Sequence, residues 1–299
     1  MSVTIKSSGI SAQIRSLGAQ LTSIQNTEGL EYLWQGDAEH WSGQAPVLFP
    51  IVGTIRNGKT EIEGKIYEMK RHGFARGMEF QLLEQREDQA VFSLRANEET
   101  RKMYPFDFEL QIIYRVEGNQ LTNEYVVINH DNREMPFVVG GHPAFNCPLT
   151  AGETFEDYVV EFEKEETADC PSVNMSTGLI DFGNCRRVLD GERTIPMRHD
   201  VFYKDALIFD SLQSHKVKLY SKKTGKGVEM DLSGFDYLGV WSAANDGPFV
   251  ALEPWTGCAT CEDEDDILEH KRNMTKLQPG EMCIRDSYNL QQPHLSFIL

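Results

Sequence analysis

Two histidines stand beside glycines, in segments that lack the alternation of a strand. His72 lies in RHGFAR at 71–76, and His142 lies in GGHPAFN at 140–146. Glycine allows backbone or ligand to approach closely, and the proline after His142 favours an extended backbone at that histidine. Taken singly, each histidine is better explained by a structural hydrogen bond than by catalysis. Taken together, the two imidazoles could serve acid–base chemistry on one ligand.

A carboxylate occupies an unusual place at the end of an apolar strand. Glu253 follows FVAL and precedes PWTG. A charge there is usually paired or functional, and partial burial beside Trp255 would raise the pKa of Glu253 toward the range of a general base. A structural ion pair would also explain it. Asp205, in the segment KDALIF, is a weaker candidate because aspartate at a strand start is common in turns.

These side chains describe a site that needs no metal: two imidazoles, one carboxylate base and one carboxylate for hydroxyl groups. Sugars present apolar C–H faces and a rim of hydroxyls, which suit aromatic rings together with Asp, Asn and Arg side chains. Core packing would explain each nearby aromatic singly, but their clustering favours a sugar site. The aromatics are Trp34, Phe74, Phe145 and Trp255.

The elements that must position these residues read as strands. In the segment 108–116, apolar residues alternate with polar ones apart from Ile113, which is typical of a half-buried strand. Similar runs occur at 90–96, 124–128, 158–163, 217–221, 228–232 and 249–253, most of them separated by Gly, Asn or Asp. The pattern predicts an all-β fold, a single antiparallel sandwich with little helix. One surface helix is predicted over Glu262 to Arg272.

The end of the chain loses this alternation. After LQPGE at 277–281 the sequence reads MCIRDSYNLQQPHLSFIL. We predict one domain over residues 1–281, without an internal linker, and an atypical tail over residues 282–299 that is poorly ordered or non-native.

Composition narrows the class of protein. The 29 Lys and Arg residues against 46 Asp and Glu residues give a net charge of −17, which repels nucleic acid and anionic lipid. No apolar run approaches the roughly 18 residues of a membrane helix, and the first residues lack a secretion signal. The sequence predicts a cytoplasmic enzyme that acts on a small molecule, and it leaves a homodimer open.

Six cysteines have no framework-like spacing. The closest pair, Cys258 and Cys261, forms a CxxC, but the sequence has no second CxxC to complete a zinc site. Two reduced thiols are the favoured interpretation of this pair.

Several motifs in order resemble the aldose 1-epimerase (galactose mutarotase-like) family, particularly its LacX-like branch. They are LWQGD at 33–37, APVLFPIVG at 45–53, HGFAR at 72–76, GGHPAFN at 140–146, the Asp205 segment, LEPWTG at 252–257 and LQPGE at 277–281. The resemblance spans about residues 1–281 and implies a single large β-sandwich with a sugar site in a concave cleft and no cofactor.

The resemblance also implies roles for individual residues. Glu253 matches the general base of the family, His142 its general acid, His72 a second site histidine and Asp205 the acid that holds sugar hydroxyls. Arg76 resembles an arginine found in the hexose-phosphate mutarotase branch. The expected substrate-binding set is Asp205, Arg76, Arg56, Asn146, Phe74 and Trp255.

One position departs from the family pattern. Many relatives carry arginine directly after the glycine that is Gly53 here, whereas this chain has Thr54. Arg56 therefore either substitutes for that arginine or points elsewhere.

The expected reaction is interconversion of the α and β anomers of an aldohexose. A hexose-6-phosphate mutarotase and a non-catalytic carbohydrate-binding protein on the same fold are the alternatives. A glycosidase or lyase fits less well, because glycosidases need two carboxylates flanking one bond and only Glu253 has a distinctive context.

Overall fold

The computed structural model describes residues 1–286, and every pairing between its named strands is antiparallel. About 50% of the chain is strand and 8% is helical, which confirms the predicted all-β fold. No helix within the described residues is long and apolar enough to cross a membrane.

The chain contains twenty-two strands in the described range, several of them only two or three residues long. The first ten are β1 (Ser2–Lys6), β2 (Ile10–Arg15), β3 (Gln20–Asn26), β4 (Val47–Leu48), β5 (Lys59–Ile62), β6 (Lys65–Glu68), β7 (Gln81–Gln85), β8 (Gln89–Arg95), β9 (Phe108–Glu117) and β10 (Gln120–Asn129). The others are β11 (Met135–Phe137), β12 (Gly140–Gly141), β13 (Ala144–Asn146), β14 (Tyr158–Val173), β15 (Ile180–Pro196), β16 (Leu207–Phe209), β17 (Lys216–Ser221), β18 (Gly227–Asp231), β19 (Tyr237–Trp241), β20 (Phe249–Trp255), β21 (Thr275–Leu277) and β22 (Met282–Asp286).

These strands form three larger sheets and three smaller ones. The larger sheets have the orders β22-β10-β9-β8-β7, β16-β19-β20-β12-β4 with β13 also paired to β20, and β15-β14-β17-β18. The smaller ones are β1-β2-β3, β11-β21 and β5-β6. Short 3-10 turns at Arg56–Gly58, Ala75–Gly77, Phe155–Asp157, His199–Phe202 and Leu268–His270 and one α-helix, α1 (Glu98–Met103), lie between strands.

One large apolar core holds the sheets together. Its members run from Val3 in β1 to Cys283 in β22. In β9, the alternating residues from Phe108 to Val116 are buried, while Arg115 and Glu117 are exposed. A single core that draws on strands from both ends of the described chain fits one continuous domain.

Strand β20 links this core to the surface that carries the candidate site. Val250 and Leu252 point into the main core, whereas Glu253 and Trp255 lie on the opposite face of the strand. This follows from the two-residue period of a strand, which sends neighbouring side chains to opposite faces.

The predicted helix over Glu262 to Arg272 is wrong. Only Leu268–His270 form a short 3-10 turn there. The carboxylate of Glu264 accepts hydrogen bonds from the backbone N–H of Cys261 at 2.9 Å and of Arg272 at 2.6 Å. Side-chain acceptors thus satisfy backbone donors that a helix would have used, which favours an irregular loop.

The α-helix lies elsewhere, at α1, where the sequence analysis placed none. Asn97 caps it, because its side-chain oxygen accepts from the N–H groups of Glu99 and Thr100. The helix is only six residues long and largely polar, so it has no apolar period to reveal it.

The predicted boundary of the tail at Met282 is also wrong. Residues Met282–Asp286 pair with β10, from Ile128 opposite Met282 to Glu124 opposite Asp286, and Cys283 is buried. Strand structure therefore continues through Asp286. The rest of the predicted tail lies outside the described residues.

Removal of β22 is expected to destabilise the fold. We compare a chain that ends at residue 287 with one that ends at Glu281. Loss of the β10 pairing and of the Cys283 contact should lower the unfolding midpoint by about 4 °C or more, since several backbone hydrogen bonds at roughly 1 kcal/mol each are lost. Equal midpoints in thermal unfolding monitored by circular dichroism would show that β22 contributes nothing.

Candidate active site

A cavity of about 340 Å³ opens on the face of β20 that carries Glu253. Three tryptophans line it, at 41, 241 and 255, together with a set of smaller apolar residues. The polar lining residues are His72, His142, Asp205, Glu253, Arg71 and Arg76. The cavity thus gathers the two histidines and both carboxylates that the sequence analysis singled out.

His142 and Glu253 form a close pair of polar side chains in this cavity. Nε2 of His142 lies 3.2 Å from Oε1 of Glu253, and the two side chains are only 10% and 3% exposed. The close approach of β12 to β20 makes this contact, and it depends on Gly140, which pairs with Trp255. A Cβ at Gly140 would lie 2.6 Å from Cδ1 of Trp255, so any larger residue would push the strands apart.

His72 is fixed by a reciprocal pair of hydrogen bonds with Gly53. The N–H of His72 donates to the carbonyl of Gly53 at 2.8 Å, and the N–H of Gly53 donates to Nδ1 of His72 at 3.0 Å. Nδ1 is therefore the acceptor, which leaves the proton of the neutral imidazole on Nε2.

Arg71 meets the other ring nitrogen of His72. The N–H at Nε of Arg71 points at Nε2 of His72, 3.3 Å away. A neutral imidazole has one acceptor nitrogen, and the shorter bond from Gly53 takes it at Nδ1, so an oxygen that accepted from both Nε of Arg71 and Nε2 of His72 would relieve this contact.

Two of the site residues have strained backbones. His72 has a φ of 68° and Asp205 a φ of 77°, both in the left-handed region that favours glycine. The next residue, Gly73, packs so tightly that a Cβ would lie 2.2 Å from the carbonyl oxygen of Phe49. Strain of this kind persists where the surroundings over-determine the conformation, which is common at functional sites.

Asp205 and two arginines form the polar side of the cavity mouth. Oδ1 of Asp205 accepts from the N–H of Ala206 at 2.7 Å, and Oδ2 lies 4.0 Å from Nη2 of Arg71. Nη2 of Arg76 donates to the carbonyl of Arg71 at 3.0 Å. The side chain of Arg71 is 54% exposed, so it can meet a ligand that enters from solvent.

Burial shifts the pKa values of Glu253 and His142. It raises the pKa of Glu253 well above its ordinary value, against the opposing charge of Arg71. Burial also lowers the pKa of His142 to about 3, with the charges of Arg71 and Arg76 acting in the same direction. The pKa of His72 is lowered for the same reason. Burial therefore disfavours the charged form of both members of the Glu253–His142 pair, whose facing atoms lie 3.2 Å apart.

Arg56 does not line the cavity, contrary to the expectation that it contacts substrate. Its Nε pairs with Asp266 at 2.9 Å, and its Nη2 donates to the carbonyls of Cys261 and Glu262 at 3.1 Å each. The guanidinium of Arg56 therefore binds the acidic loop in the segment where a helix was predicted. Arg56 therefore does not substitute for the arginine that many relatives carry at the position of Thr54.

Two other expected substrate contacts are internal. Asn146 donates from Nδ2 to the carbonyls of Glu31 and Leu33 at 2.9 and 3.1 Å, and Phe74 packs edge-on against Phe49 in the main core. Neither lines the cavity. Of the aromatics named from sequence, Trp255 is the one that does.

Trp41 and Trp241 were missed by the sequence analysis. Trp41 stacks on His142, and Trp241 meets the same imidazole edge-on. Trp41 carried a signal, since it is a large aromatic in the polar segment HWSGQ. Trp241 ends the apolar strand YLGVW, which core packing explains equally well.

A family model described as aldose 1-epimerase matches residues 1–281. The chain belongs to the aldose 1-epimerase family. It is 40% identical to the chromosomal LacX protein of Lactococcus lactis, over 97% of this chain and 99% of that protein.

Solved structures agree with this family assignment. A galactose mutarotase related enzyme from Lactobacillus acidophilus superimposes with a TM-score of 0.91 at 33% identity, covering 97% of this chain and 98% of that one. A galactose mutarotase-like protein from Lactobacillus casei gives 0.89 at 30% identity, covering 96% and 98%. The predicted resemblance and the galactose mutarotase-like sandwich are confirmed.

The imidazole of His142 is expected to stay neutral well below pH 6.5. Burial favours its uncharged form, so it gains a proton only as the pH falls toward about 3. Nitrogen-detected NMR on protein labelled at histidine, assigned with His142→Asn and His72→Asn, measures this. A titration of His142 near the pH of free histidine would contradict the burial argument.

Proposed function

We propose that this chain interconverts the α and β anomers of an unphosphorylated aldohexose by acid–base opening and closing of the sugar ring. The observation that carries the proposal is the 3.2 Å separation of His142 Nε2 and Glu253 Oε1 at the buried end of the cavity. The anomeric hydroxyl and the ring oxygen are bonded to the same carbon. A base for one and an acid for the other must therefore lie side by side.

The proposed reaction needs one transferable proton on the Glu253–His142 pair. When a sugar binds, its hydroxyls contact Glu253, and transfer of the carboxyl proton of Glu253 to His142 leaves a carboxylate. Glu253 then takes the proton of the anomeric hydroxyl while His142 protonates the ring oxygen, which opens the hemiacetal to the aldehyde. Rotation about the bond between the first two carbons presents the other carbonyl face, and the reverse transfers close the ring.

The other polar residues orient the sugar. His72 offers its Nε2 proton and Arg71 its Nε proton to one oxygen, and Asp205 accepts from hydroxyls at the mouth. The indole of Trp255, which lines the cavity, offers an apolar surface to a C–H face of the ring. General acid–base catalysis of roughly 10²–10⁴-fold per group is enough, because anomer exchange is not very slow without a catalyst.

A hexose 6-phosphate is the second candidate substrate, favoured by the two arginines at the cavity mouth. Arginine pairs well with phosphate. Against it, both arginines already have partners in the protein, and the net charge of −17 repels anions. We therefore favour the neutral sugar.

Glu253→Gln should lower kcat/KM for anomer exchange by about 100-fold or more, because the amide keeps the shape of the side chain but cannot accept the proton. Polarimetry on freshly dissolved α-glucose and α-galactose measures the effect, after subtraction of the spontaneous rate. The unfolding midpoint should stay close to that of the wild type.

Two outcomes would contradict the assignment. Unchanged exchange in Glu253→Gln would reject Glu253 as the base. A wild-type chain that quenches its tryptophan fluorescence on sugar binding, yet does not accelerate exchange, would identify a carbohydrate-binding protein.

Arg76 distinguishes the neutral from the phosphorylated substrate. If the neutral sugar is the substrate, wild type should show kcat/KM for hexose at least equal to that for hexose 6-phosphate, and Arg76→Ala should change both by similar factors. Anomer-exchange NMR with both sugars provides the rates. A preference for the phosphate that disappears in Arg76→Ala would overturn our choice.

A further inference from the structure

His142 lacks the hydrogen bond that usually orients a working imidazole. Its Nε2 faces Glu253, while its Nδ1 is buried and makes no hydrogen bond to another residue within the described part of the chain. In most sites a partner on the second ring nitrogen fixes both the plane of the ring and its tautomer. Another contact must hold this ring in place.

Aromatic rings surround the imidazole instead. The indole of Trp41 stacks on it with centroids 4.7 Å apart and planes 26° apart. Trp241 meets it at 5.4 Å and 82°, and His72 at 5.8 Å and 82°. A face-on neighbour fixes the plane of the imidazole, and the two edge-on neighbours oppose its rotation within that plane.

Trp41 is itself held firmly, although it lies in a loop. The backbone N–H of Trp41 donates to the carbonyl of Asp37 at 2.8 Å, and the backbone carbonyl of Trp41 accepts from the indole Nε1–H of Trp34 at 2.8 Å. Gly43 leaves room for the indole, because a Cβ there would lie 2.3 Å from Cζ2 of the ring. These contacts therefore fix the position of the Trp41 side chain in the loop.

We propose that Trp41 is a positioning residue for His142. Its indole face holds the imidazole so that Nε2 points at Glu253, in place of a hydrogen bond at Nδ1. The proposal rests on the proposed function, since it assigns Trp41 a part in that acid–base reaction. It adds a residue from the 37–44 loop to a site otherwise described by its polar groups.

A simpler role for Trp41 is a platform for the sugar, because its ring also lines the cavity. The two roles differ in what they affect. A platform contributes to binding of substrate and transition state alike, so its loss raises KM and leaves kcat unchanged. A positioning residue acts on the acid, so its loss lowers kcat and alters the pH dependence of the reaction.

The test compares Trp41→Leu with Trp41→Phe. Leucine removes the aromatic face, whereas phenylalanine retains it. We expect kcat of Trp41→Leu to fall by about 10- to 100-fold, up to the share of rate that one general acid supplies, with KM changed by less than about threefold. Trp41→Phe should keep at least about a third of the wild-type kcat. A rise in KM alone, with wild-type kcat in both variants, would overturn the proposal.

Gly43→Ala tests the same role if Trp41→Leu does not fold. Gly43→Ala leaves the tryptophan in the chain but places a methyl group where its indole lies, and Gly43 has no positive φ that alanine would strain. Gly43→Ala should lower kcat in the same direction, with an unfolding midpoint near that of the wild type. Wild-type kcat in a folded Gly43→Ala whose indole has moved would count against Trp41.

NMR of His142 gives a readout that does not depend on turnover. The charged and titratable groups that face this imidazole are Glu253, His72, Arg71 and Arg76. These four residues are unchanged in Trp41→Leu, Trp41→Phe and Gly43→Ala, so a change in the His142 signals reports on the indole of Trp41. We expect one fixed tautomer in wild type, and mixed tautomers with a pKa nearer 6.5 in Trp41→Leu. If wild type does not catalyse exchange, the proposed function fails; an unchanged His142 spectrum in Trp41→Leu rejects the positioning role by itself.

Discussion

Burial of a carboxylate beside an imidazole is the constraint on which the cleft depends. An ionised Glu253 at 3% exposure would be costly, and a charged His142 at 10% exposure would be costly too. Burial favours the uncharged form of each side chain, and in that form the pair can be buried without a dedicated counter-ion.

The core and the site share one strand, which makes the geometry of the pair a property of the whole sandwich. Along β20, Val250 and Leu252 pack into the main core, and Glu253 is held on the other face by the same backbone. The neighbouring segments pack closely against this strand. Gly140 lets β12 approach Trp255, and the strained backbone of His72 is held by two hydrogen bonds to Gly53. Small displacements of these segments would change the 3.2 Å separation of His142 and Glu253.

Thr54 lies between two glycines, Gly53 and Gly178, that line the cavity. Gly178 is in the turn of the β14–β15 hairpin, and a Cβ on it would lie 2.7 Å from Oγ1 of Thr54. The hairpin is tied down next to it, because the N–H of Ile180 donates to the carbonyl of Thr260 at 3.0 Å. An arginine side chain would need the space that this hairpin fills. Arg71 lines the cavity, and its Nε reaches His72.

The sequence by itself determined the strand-rich fold and the family, because alternation and short motifs are local properties of the chain. His72, His142 and Glu253 each stood in an unusual local context, and Asp205 was named mainly through the family resemblance; all four line the cavity. Tertiary structure decided what depends on distant partners. Arg56 turned to Asp266, 210 positions away in the chain, and Phe74 turned into the core. Trp41 gained its place on His142 because a loop and a strand end meet only after the sheets have packed. Nor does the Glu262–Arg272 segment show from its charges alone that its acids bind backbone N–H groups, since such hydrogen bonds form only when the loop is folded against its neighbours.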